Sequence, residues 1–300
     1  MTRAQIPAQD RLIVALDVPD ADAARAMVGQ LGEAVSFYKI GMELCMAPGF
    51  FELLDWLKQS QRKKVFVDLK FFDIPETVAR AVRNLAERGA DFCTIHGNQS
   101  IMQAAAAAKT GDTKVLAVTA LTSLDQGDLD DLGFACDIPT LVLSRARRAL
   151  QAGCDGVVSS GLEVERLRLE APRELICVTP GIRPVENRVV ADQKRVMTPA
   201  AAIKAGADYL VVGRPIRDAA DPRAMALAVQ AEIAAGGVSD ARFRFVRHNA
   251  ANETVPCRLA EEQAELADIQ QRSAQEGGTV LVPEGDWVRL AGVTPGVSPG

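Results

Sequence analysis

Four charged side chains stand in or beside the first three apolar runs of the chain, where an unpaired charge would be costly to bury. Asp17 follows the run RLIVAL, Lys39 lies inside FYKIGM, and Asp68 and Lys70 both lie inside KVFVDLKFF. On a β-strand, Asp68 and Lys70 would point to the same side because they are two residues apart. Carboxylate and ammonium groups gathered in this way can stabilise a developing charge and transfer a proton.

Each of these charges also has a structural explanation when it is considered alone. Asp68 and Lys70 could form an ion pair at the rim of a barrel, and Lys39 could extend to solvent. Asp17 could end its strand in a turn, and Asp73, just beyond the third run, could favour the start of the following helix. Charges near the same ends of three successive strands favour a common site over separate caps.

Two later runs carry glycine and arginine in a pattern typical of phosphate binding. The seventh run ends in TPGIR at residues 179–183, and the eighth continues as VVGRPI at residues 211–216. In α/β barrels, the loops after the seventh and eighth strands often form a phosphate site. Gly213 would let main-chain N–H groups approach the anion, and Arg214 could bind two of its oxygens. An ordinary turn with a surface arginine explains either motif alone, but the two together favour a phosphorylated ligand.

Two further runs end in polar residues with more than one interpretation. His96 ends the fourth run, where a histidine satisfied in the core or at the rim is favoured over a catalytic base. Thr122 and Ser123 follow the fifth run, where they can hydrogen-bond a ligand or cap a loop.

The composition excludes several classes of function. The net charge is -5 at pH 7 and no long basic run occurs, which argues against a nucleic-acid surface. No stretch of about 18 uncharged apolar residues occurs, so no membrane span is expected. With only 2 histidines and no CxxC pair among the 6 cysteines, neither a Ser-His-Asp triad nor a metal site is expected. The cysteines are interpreted as buried thiols of a cytoplasmic protein.

Short apolar runs alternate with amphipathic or alanine-rich segments along the first part of the chain. The runs are rich in Val, Ile and Leu, as in strands buried on both faces of a parallel sheet. They predict a (β/α)8 TIM barrel; a doubly wound open sheet is the alternative, although no G-x-G-x-x-G follows the first strand. Helices are predicted at residues 76–88, 200–206 and 221–235, and no internal repeat is apparent beyond the alternation itself. The predicted strands are residues 11–18, 37–42, 64–72, 92–97, 114–121, 156–160, 175–182 and 209–216.

The pattern changes at Gly236 and Gly237. Residues 1–235 are predicted to form the barrel, and residues 236–300 are predicted to form an appendage or small second domain of unknown role. The elements expected in the appendage are a strand at 242–249, a helix at 259–272, and two short strands within 277–290.

Several motifs together resemble the orotidine 5′-phosphate decarboxylase family: ALDV, YKIG, DLKFFDIPETV, LTSLD, TPGIRP, DQKRVMTP and VVGRPI. The resemblance extends over residues 12–235. D-x-K-x-x-D alone is shared with related sugar-phosphate decarboxylases and synthases, whereas LTS, TPGIRP and the DQ-R pair favour the orotidine branch. The resemblance implies a cytoplasmic, cofactor-independent homodimer with active sites at the subunit boundary. It would convert orotidine 5′-phosphate to UMP and carbon dioxide, the last step of pyrimidine nucleotide synthesis.

The resemblance also implies a role for each site residue, with no metal. Lys70 would be the proton donor, Asp68 would lie beside the substrate carboxylate, and Lys39 would belong to the same array. Asp73 would reach in from the partner subunit to complete it. The substrate-binding residues would be Asp17 and Lys39 at the ribose hydroxyls, Thr77 from the partner subunit, Thr122 at the pyrimidine, Pro180 in the base pocket, and Gln193, Gly213 and Arg214 at the 5′-phosphate.

Two other functions stay open on the residues alone. A magnesium-dependent sugar-phosphate decarboxylase or synthase would use the same Asp-Lys-Asp cluster, with the metal held by carboxylates. A non-catalytic barrel would bind a nucleotide and carry the appendage. The segment at 185–192 also departs from the family pattern, because it is slightly longer and carries Val189 and Val190 where small polar residues are common. This departure bears on how the loop closes over a phosphate.

Overall fold

The computed structural model describes residues 6–170, 174–184, 197–237, 246–248 and 254–256. The chain divides into two compact units, residues 1–238 and residues 239–300. The strands of the first unit are β1 (Leu12–Ala15), β2 (Phe37–Gly41), β3 (Lys64–Phe71), β4 (Phe92–His96), β5 (Lys114–Val118), β6 (Gly156–Val158), β7 (Ile176–Thr179) and β8 (Tyr209–Val212). They pair in parallel and in sequential order into a closed barrel, which confirms the predicted (β/α)8 architecture.

Helices alternate with the strands and bury one face against them. They are α1 (Ala21–Leu31), α2 (Met42–Cys45), α3 (Phe50–Asp55), α4 (Pro75–Glu87), α5 (Gln99–Ala108), α6 (Gln126–Asp131), α7 (Ile138–Gln151), α8 (Gly161–Glu170), α9 (Pro199–Ala205), α10 (Arg214–Arg217) and α11 (Pro222–Ala235). The three helices predicted from the pattern are α4, α9 and α11. In α4, Pro75 occupies the first turn, where its missing N–H is not needed, and Val78, Val82 and Leu85 form the predicted buried stripe.

Aromatic side chains fill the barrel interior near the N-terminal ends of the strands. The ring of Phe92 lies 5.0 Å from the ring of Phe37 and 5.0 Å from that of Tyr209, and Phe66 packs into the same cluster. A second apolar layer fills the space between the strands and the helices, so the strands are buried on both faces as their composition predicts.

A short repeat, Gly-Ala-Asp or Gly-Cys-Asp, precedes strands β4, β6 and β8, so the expectation of no internal repeat beyond the alternation is wrong for this three-residue motif. Its aspartates are Asp91, Asp155 and Asp208. Each donates its main-chain N–H to a carbonyl of the preceding odd-numbered strand at 2.9 or 3.0 Å. Its Oδ2 accepts the N–H of that same residue at 2.8 or 2.9 Å. We call each set of these contacts an N-terminal clamp. The basic partners are Lys58 for Asp91, Lys109 and Lys114 for Asp155, and Arg168 for Asp208.

In the second unit, β9 (Val246–His248) pairs with β10 (Thr254–Pro256) in antiparallel orientation. β9 lies within the strand expected at 242–249, and β10 is not predicted from the sequence. The helix and the two strands expected further along lie outside the described residues. Within the described part of the chain, no helix has the length and apolar character that crossing a membrane requires.

Candidate active site

Four side chains form a line of alternating charge at the C-terminal mouth of the barrel, here called the charged array: Asp17, Lys39, Asp68 and Lys70. Lys39 places Nζ 2.9 Å from Oδ1 of Asp17 and 3.7 Å from Oδ2 of Asp68. Lys70 places its Nζ 2.9 Å from Oδ1 of Asp68. The inner members, Lys39 and Asp68, have side chains only 11% and 13% exposed, against 35% for Lys70 and 46% for Asp17. The array therefore ends in an accessible ammonium group on one side and an accessible carboxylate on the other.

Strand β3 is distorted where it carries Lys70. Its pairing with β4 shifts between Val67 and Phe71, and Lys70 has a φ of 50°, in the left-handed region. Such a conformation costs a residue other than glycine roughly 1–3 kcal/mol and persists only where the surroundings hold it. The predicted meeting of Asp68 and Lys70 thus occurs, but through a distortion rather than along a regular strand.

Thr94, on β4, belongs to this site but is not among the residues predicted from the sequence. Its hydroxyl oxygen accepts a hydrogen bond from the main-chain N–H of Lys70 at 3.0 Å and donates one to Oδ1 of Asp68 at 2.9 Å. Thr94 is fully buried, and the alternation along β4 places it on the same interior face as Phe92. This alternation was the available signal, because a buried hydroxyl that faces the interior requires a polar partner.

A cavity of about 200 Å³ opens beside the charged array, and Asp17 and Lys39 contribute to its lining. The ends of β7 and β8 supply other lining residues, including Pro180, Arg183, Gly213 and Arg214. Two guanidinium groups beside a glycine main chain suit an anion with several oxygens. The cavity therefore brings the charged array and the predicted phosphate motifs into one site.

Arg183 stands at the start of the segment 185–196, which lies outside the described residues. Its N–H donates to the carbonyl of Met197 at 2.9 Å, and the N–H of Met197 donates to the carbonyl of Gly181 at 3.4 Å. Gly181 has a φ of 77°, a conformation that a side chain would strain. Nε of Arg183 is buried and has no hydrogen-bond partner within the described residues. The TPGIR motif pointed to this region, but Arg183 was not among the predicted phosphate residues.

The other predicted residues are not gathered into the charged array within one chain. Asp73, before α4, and Thr77, in its first turn, are both exposed, and Oδ1 of Asp73 accepts the N–H of Ile74 at 2.6 Å. Thr122 lies half-buried in the loop after β5. Gln193 lies outside the described residues.

His96, at the end of β4, packs its ring 4.9 Å from the ring of Phe72. Burial lowers the pKa of His96, and the nearby charge of Arg145 lowers it further. Arg145 also donates a hydrogen bond to the carbonyl of Thr119 at 2.6 Å. A lowered pKa favours the neutral imidazole at pH 7. These contacts are those of a packed histidine at the rim, the interpretation favoured from the sequence.

Comparison with known proteins supplies a family match. The model of the orotidine 5′-phosphate decarboxylase / HUMPS family matches residues 10–229. An orotidine 5′-phosphate decarboxylase of Methylococcus capsulatus is 65% identical over 228 residues, which cover 76% of this chain and 93% of that protein. An orotidine 5′-phosphate decarboxylase of Rhodopseudomonas palustris is 52% identical over 235 residues, which cover 78% of this chain and 99% of that protein.

Solved structures agree with this match. The crystal structure of orotidine 5′-phosphate decarboxylase from Lactobacillus acidophilus has a TM-score of 0.66 at 34% identity, and the match covers 75% of this chain and 99% of that chain. The enzyme of the same name from Pyrococcus horikoshii has a TM-score of 0.62 at 24% identity, covering 76% of this chain and 100% of that chain, and supports the fold alone. Residues 230–300 lie outside the family match.

Proposed function

The chain belongs to the orotidine 5′-phosphate decarboxylase / HUMPS family, and we propose that it is the carboxy-lyase that converts orotidine 5′-phosphate to UMP and carbon dioxide. This reaction is the last step of pyrimidine nucleotide synthesis, and the relatives at 65% and 52% identity carry its name. The observation that carries the proposal is the charged array, which adjoins a cavity lined by two arginines.

The chemistry requires a group that stabilises negative charge on carbon. Decarboxylation breaks the bond between C6 of the pyrimidine and the carboxylate carbon, and the electron pair stays on C6. We propose that this group is the ammonium of Lys70. It would face the developing carbanion and then give a proton to C6, forming UMP. The resulting amine regains its proton from water, to which the partly exposed side chain has access.

One ammonium group cannot supply the whole rate acceleration. Two unit charges about 4 Å apart interact by about 4 kcal/mol at an effective dielectric of about 20, whereas enzymes lower barriers by about 8–23 kcal/mol. Fixed geometry must supply part of the rest. Asp68 holds Nζ of Lys70 at 2.9 Å, and Lys39 faces the second oxygen of Asp68. Asp68 would also lie beside the substrate carboxylate, and the two negative charges would repel each other.

We propose that Asp17 and Lys39 bind the ribose hydroxyls, because both line the cavity next to the reacting end of the array. Pro180 lines the same cavity, which supports its predicted contact with the base. Thr122, in the loop after β5, is the proposed hydrogen-bonding partner of the pyrimidine.

The 5′-phosphate is the proposed ligand of the cationic end of the cavity. Arg183 and Arg214 would pair with its oxygens, and the main chain at Gly213 would allow close approach. Gln193 is the further contact that the family resemblance implies. Binding energy from the phosphate would hold C6 against Lys70. Contacts far from the reacting bond would in this way stabilise the transition state.

We also propose a homodimer in which Asp73 and Thr77 complete the site of the partner subunit. Asp73 lies between Phe72 and Ile74, whose side chains are 66% and 69% exposed. Exposed apolar side chains on both sides of a carboxylate suit a surface that another subunit covers. Asp73 would then add a carboxylate beside Lys70 of the partner subunit.

We also propose that the protein is located in the cytoplasm. The five cysteines in the described part of the chain form no disulfide with one another. Burial raises the pKa of both Cys93 and Cys154 to about 12, which keeps these thiols protonated and unreactive. Both features support a reducing compartment.

The magnesium-dependent sugar-phosphate branch of the family is the alternative that the test must separate. Both oxygens of Asp68 face lysine ammonium groups, which favours the decarboxylase over a magnesium site at this carboxylate. The test incubates the purified full chain with orotidine 5′-phosphate in excess EDTA and follows UMP. We expect turnover that EDTA does not change. Turnover of a sugar phosphate with Mg²⁺, and none of orotidine 5′-phosphate, would contradict the proposal; UMP binding without turnover would support the non-catalytic barrel.

A further inference from the structure

We propose that Thr94 is a positioning residue for the decarboxylation, holding Asp68 and Lys70 in the arrangement that places the ammonium group against C6. The proposal rests on the proposed function of Lys70. Thr94 itself is fully buried, and its hydroxyl acts through its two neighbours.

The position of Thr94 opposite the distortion of β3 is the first argument. From Val67 to Phe71, β3 advances by four residues while its partner β4 advances by only two, from Cys93 to Ile95. Thr94 is the residue of β4 between those two pairs, and it therefore faces the extra length of β3. There the main-chain N–H of Lys70 donates to the Thr94 hydroxyl at 3.0 Å.

The conformation of Lys70 is the second argument. Its φ of 50° places a residue other than glycine in the left-handed region, which persists only when surrounding contacts hold it. The hydrogen bond to Thr94 is such a contact, and it acts on the main chain of the proposed proton donor. Without the hydroxyl, that N–H would lose its acceptor inside the barrel, and the main chain would be released toward a common conformation.

The orientation of the Asp68 carboxylate is the third argument. Its Oδ1 accepts from the Thr94 hydroxyl and from Nζ of Lys70, each at 2.9 Å, while its Oδ2 faces Nζ of Lys39 at 3.7 Å. The Thr94 hydroxyl donates in a fixed direction and has only one proton to give. It therefore sets the rotation of the carboxylate that fixes the ammonium group of Lys70.

A comparison with Thr113 separates this role from simple packing. Thr113 is also buried, and its hydroxyl donates to the carbonyl of Ala90 at 2.6 Å, at the N-terminal end of the barrel. Removing the hydroxyl takes one hydrogen bond from the interior at Thr113 and two at Thr94. Only the bonds of Thr94 connect to the charged array.

The test replaces Thr94 by valine, which keeps the shape of the side chain and removes the hydroxyl. We expect kcat for orotidine 5′-phosphate to fall about 10²-fold, the effect of a misplacement of about 1 Å at a reacting group, with KM changed much less. Thr94→Ser, which keeps the hydroxyl, should recover most of kcat. Thr113→Val is the matched control and should lower the melting temperature without changing kcat. If Thr94→Val gives little folded protein, Thr94→Ala removes the same hydroxyl with a smaller side chain.

A crystal structure of the variant without the hydroxyl provides a readout besides turnover. We expect Lys70 to leave the left-handed region or its Nζ to move out of hydrogen-bond distance from Asp68. An unchanged Lys70 conformation and an unchanged kcat in Thr94→Val would overturn the proposal, as would a serine variant as slow as the valine variant. A wild-type protein without turnover would refute the proposed function instead, and the position of Lys70 in the variant would still decide whether Thr94 holds it.

Discussion

Aspartate and basic side chains occur at both ends of this barrel, but their partners differ. In the N-terminal clamps, each aspartate exchanges two hydrogen bonds with the main chain of a neighbouring strand and pairs with one or two basic side chains. In the charged array at the opposite end, Asp17 and Asp68 face lysine ammonium groups beside an open cavity. The clamps connect strand to strand, whereas the array connects side chain to side chain.

Backbone geometry follows the same division, and exposure follows it at one clamp only. The side chains of the other two clamp pairs are 15–28% exposed, against 11% and 13% for Lys39 and Asp68. The side chains of the clamp pair Arg168 and Asp208 are 2% and 3% exposed, so water and ligands have no access to them. The array keeps Asp17 and Lys70 partly exposed, and Lys70 adopts a left-handed conformation. The same residue types therefore complete their bonds within the chain at one end. At the other end they leave an accessible ammonium group and an accessible carboxylate beside the cavity, where we propose the chemistry.

After the complete loss expected from Lys70→Ala, the largest effect in this comparison is expected from Lys70→Arg. This change keeps the positive charge but removes the transferable proton, because arginine stays protonated. We expect kcat to fall by about 10²–10⁴-fold, the usual contribution of a general acid, with little change in the melting temperature. Steady-state kinetics and a thermal melt on the same preparation measure both. A variant that keeps wild-type kcat would show that Lys70 acts through charge alone.

At the opposite end, Asp208→Asn should affect stability and leave chemistry intact. It removes the charge that faces the buried guanidinium of Arg168, and breaking such a pair costs about 3–5 kcal/mol. Urea unfolding should show a loss of this size, while kcat per folded molecule stays at the wild-type value. A loss of kcat without a loss of stability would contradict the division between the two ends.

Arg214→Ala tests whether the cationic end of the cavity binds the 5′-phosphate of the substrate. Losing a hydrogen bond to a charged group costs about 1.5–3 kcal/mol, so we expect KM for orotidine 5′-phosphate to rise about 10- to 100-fold. Binding of the nucleoside orotidine, which lacks the phosphate, should change little. Equal losses for both ligands would refute the assignment.

The smallest expected signal comes from mixing two inactive variants, Lys70→Ala and Asp73→Asn. If Asp73 serves the site of the partner subunit, each mixed dimer regains one intact site, and random pairing should restore about a quarter of wild-type activity. The measurement is the rate after joint refolding, with the fraction of mixed dimers determined by mass spectrometry. Proven mixed dimers without activity would contradict shared sites.

Much of the fold and part of the site could be predicted from the sequence. The eight apolar runs mark the eight strands because strands buried on both faces leave few positions for polar residues. For the same reason, Lys39, Asp68 and Lys70 stood out as charges that needed partners, and they meet as predicted. The runs overestimate strand length at the C-terminal ends, where the pairing gives way to the loops that carry Asp17 and Pro180.

The remaining features depend on the register between neighbouring strands, which the hydrophobic pattern of the sequence does not determine. Threonine is common in β-strands, so the alternation along β4 marks Thr94 only as an interior hydroxyl that needs a polar partner. The shift between β3 and β4 is what places that hydroxyl against Lys70. The repeat that ends in Asp91, Asp155 and Asp208 is only three residues long, and its meaning lies in bonds to the preceding strand. These contacts join residues far apart in the chain.

The most direct test of the division between the two ends applies one chemical change to each, Lys70→Ala and Lys109→Ala, and measures kcat and the free energy of unfolding for both. Lys109 pairs with Asp155 in an N-terminal clamp at 2.8 Å. We expect Lys70→Ala to abolish UMP formation with its stability kept. We expect Lys109→Ala to keep kcat while losing about 1–3 kcal/mol of stability, because Asp155 then keeps only the more distant Lys114, at 3.8 Å, as a basic partner. Substantial turnover by Lys70→Ala, or a loss of kcat by Lys109→Ala at unchanged stability, would contradict the account.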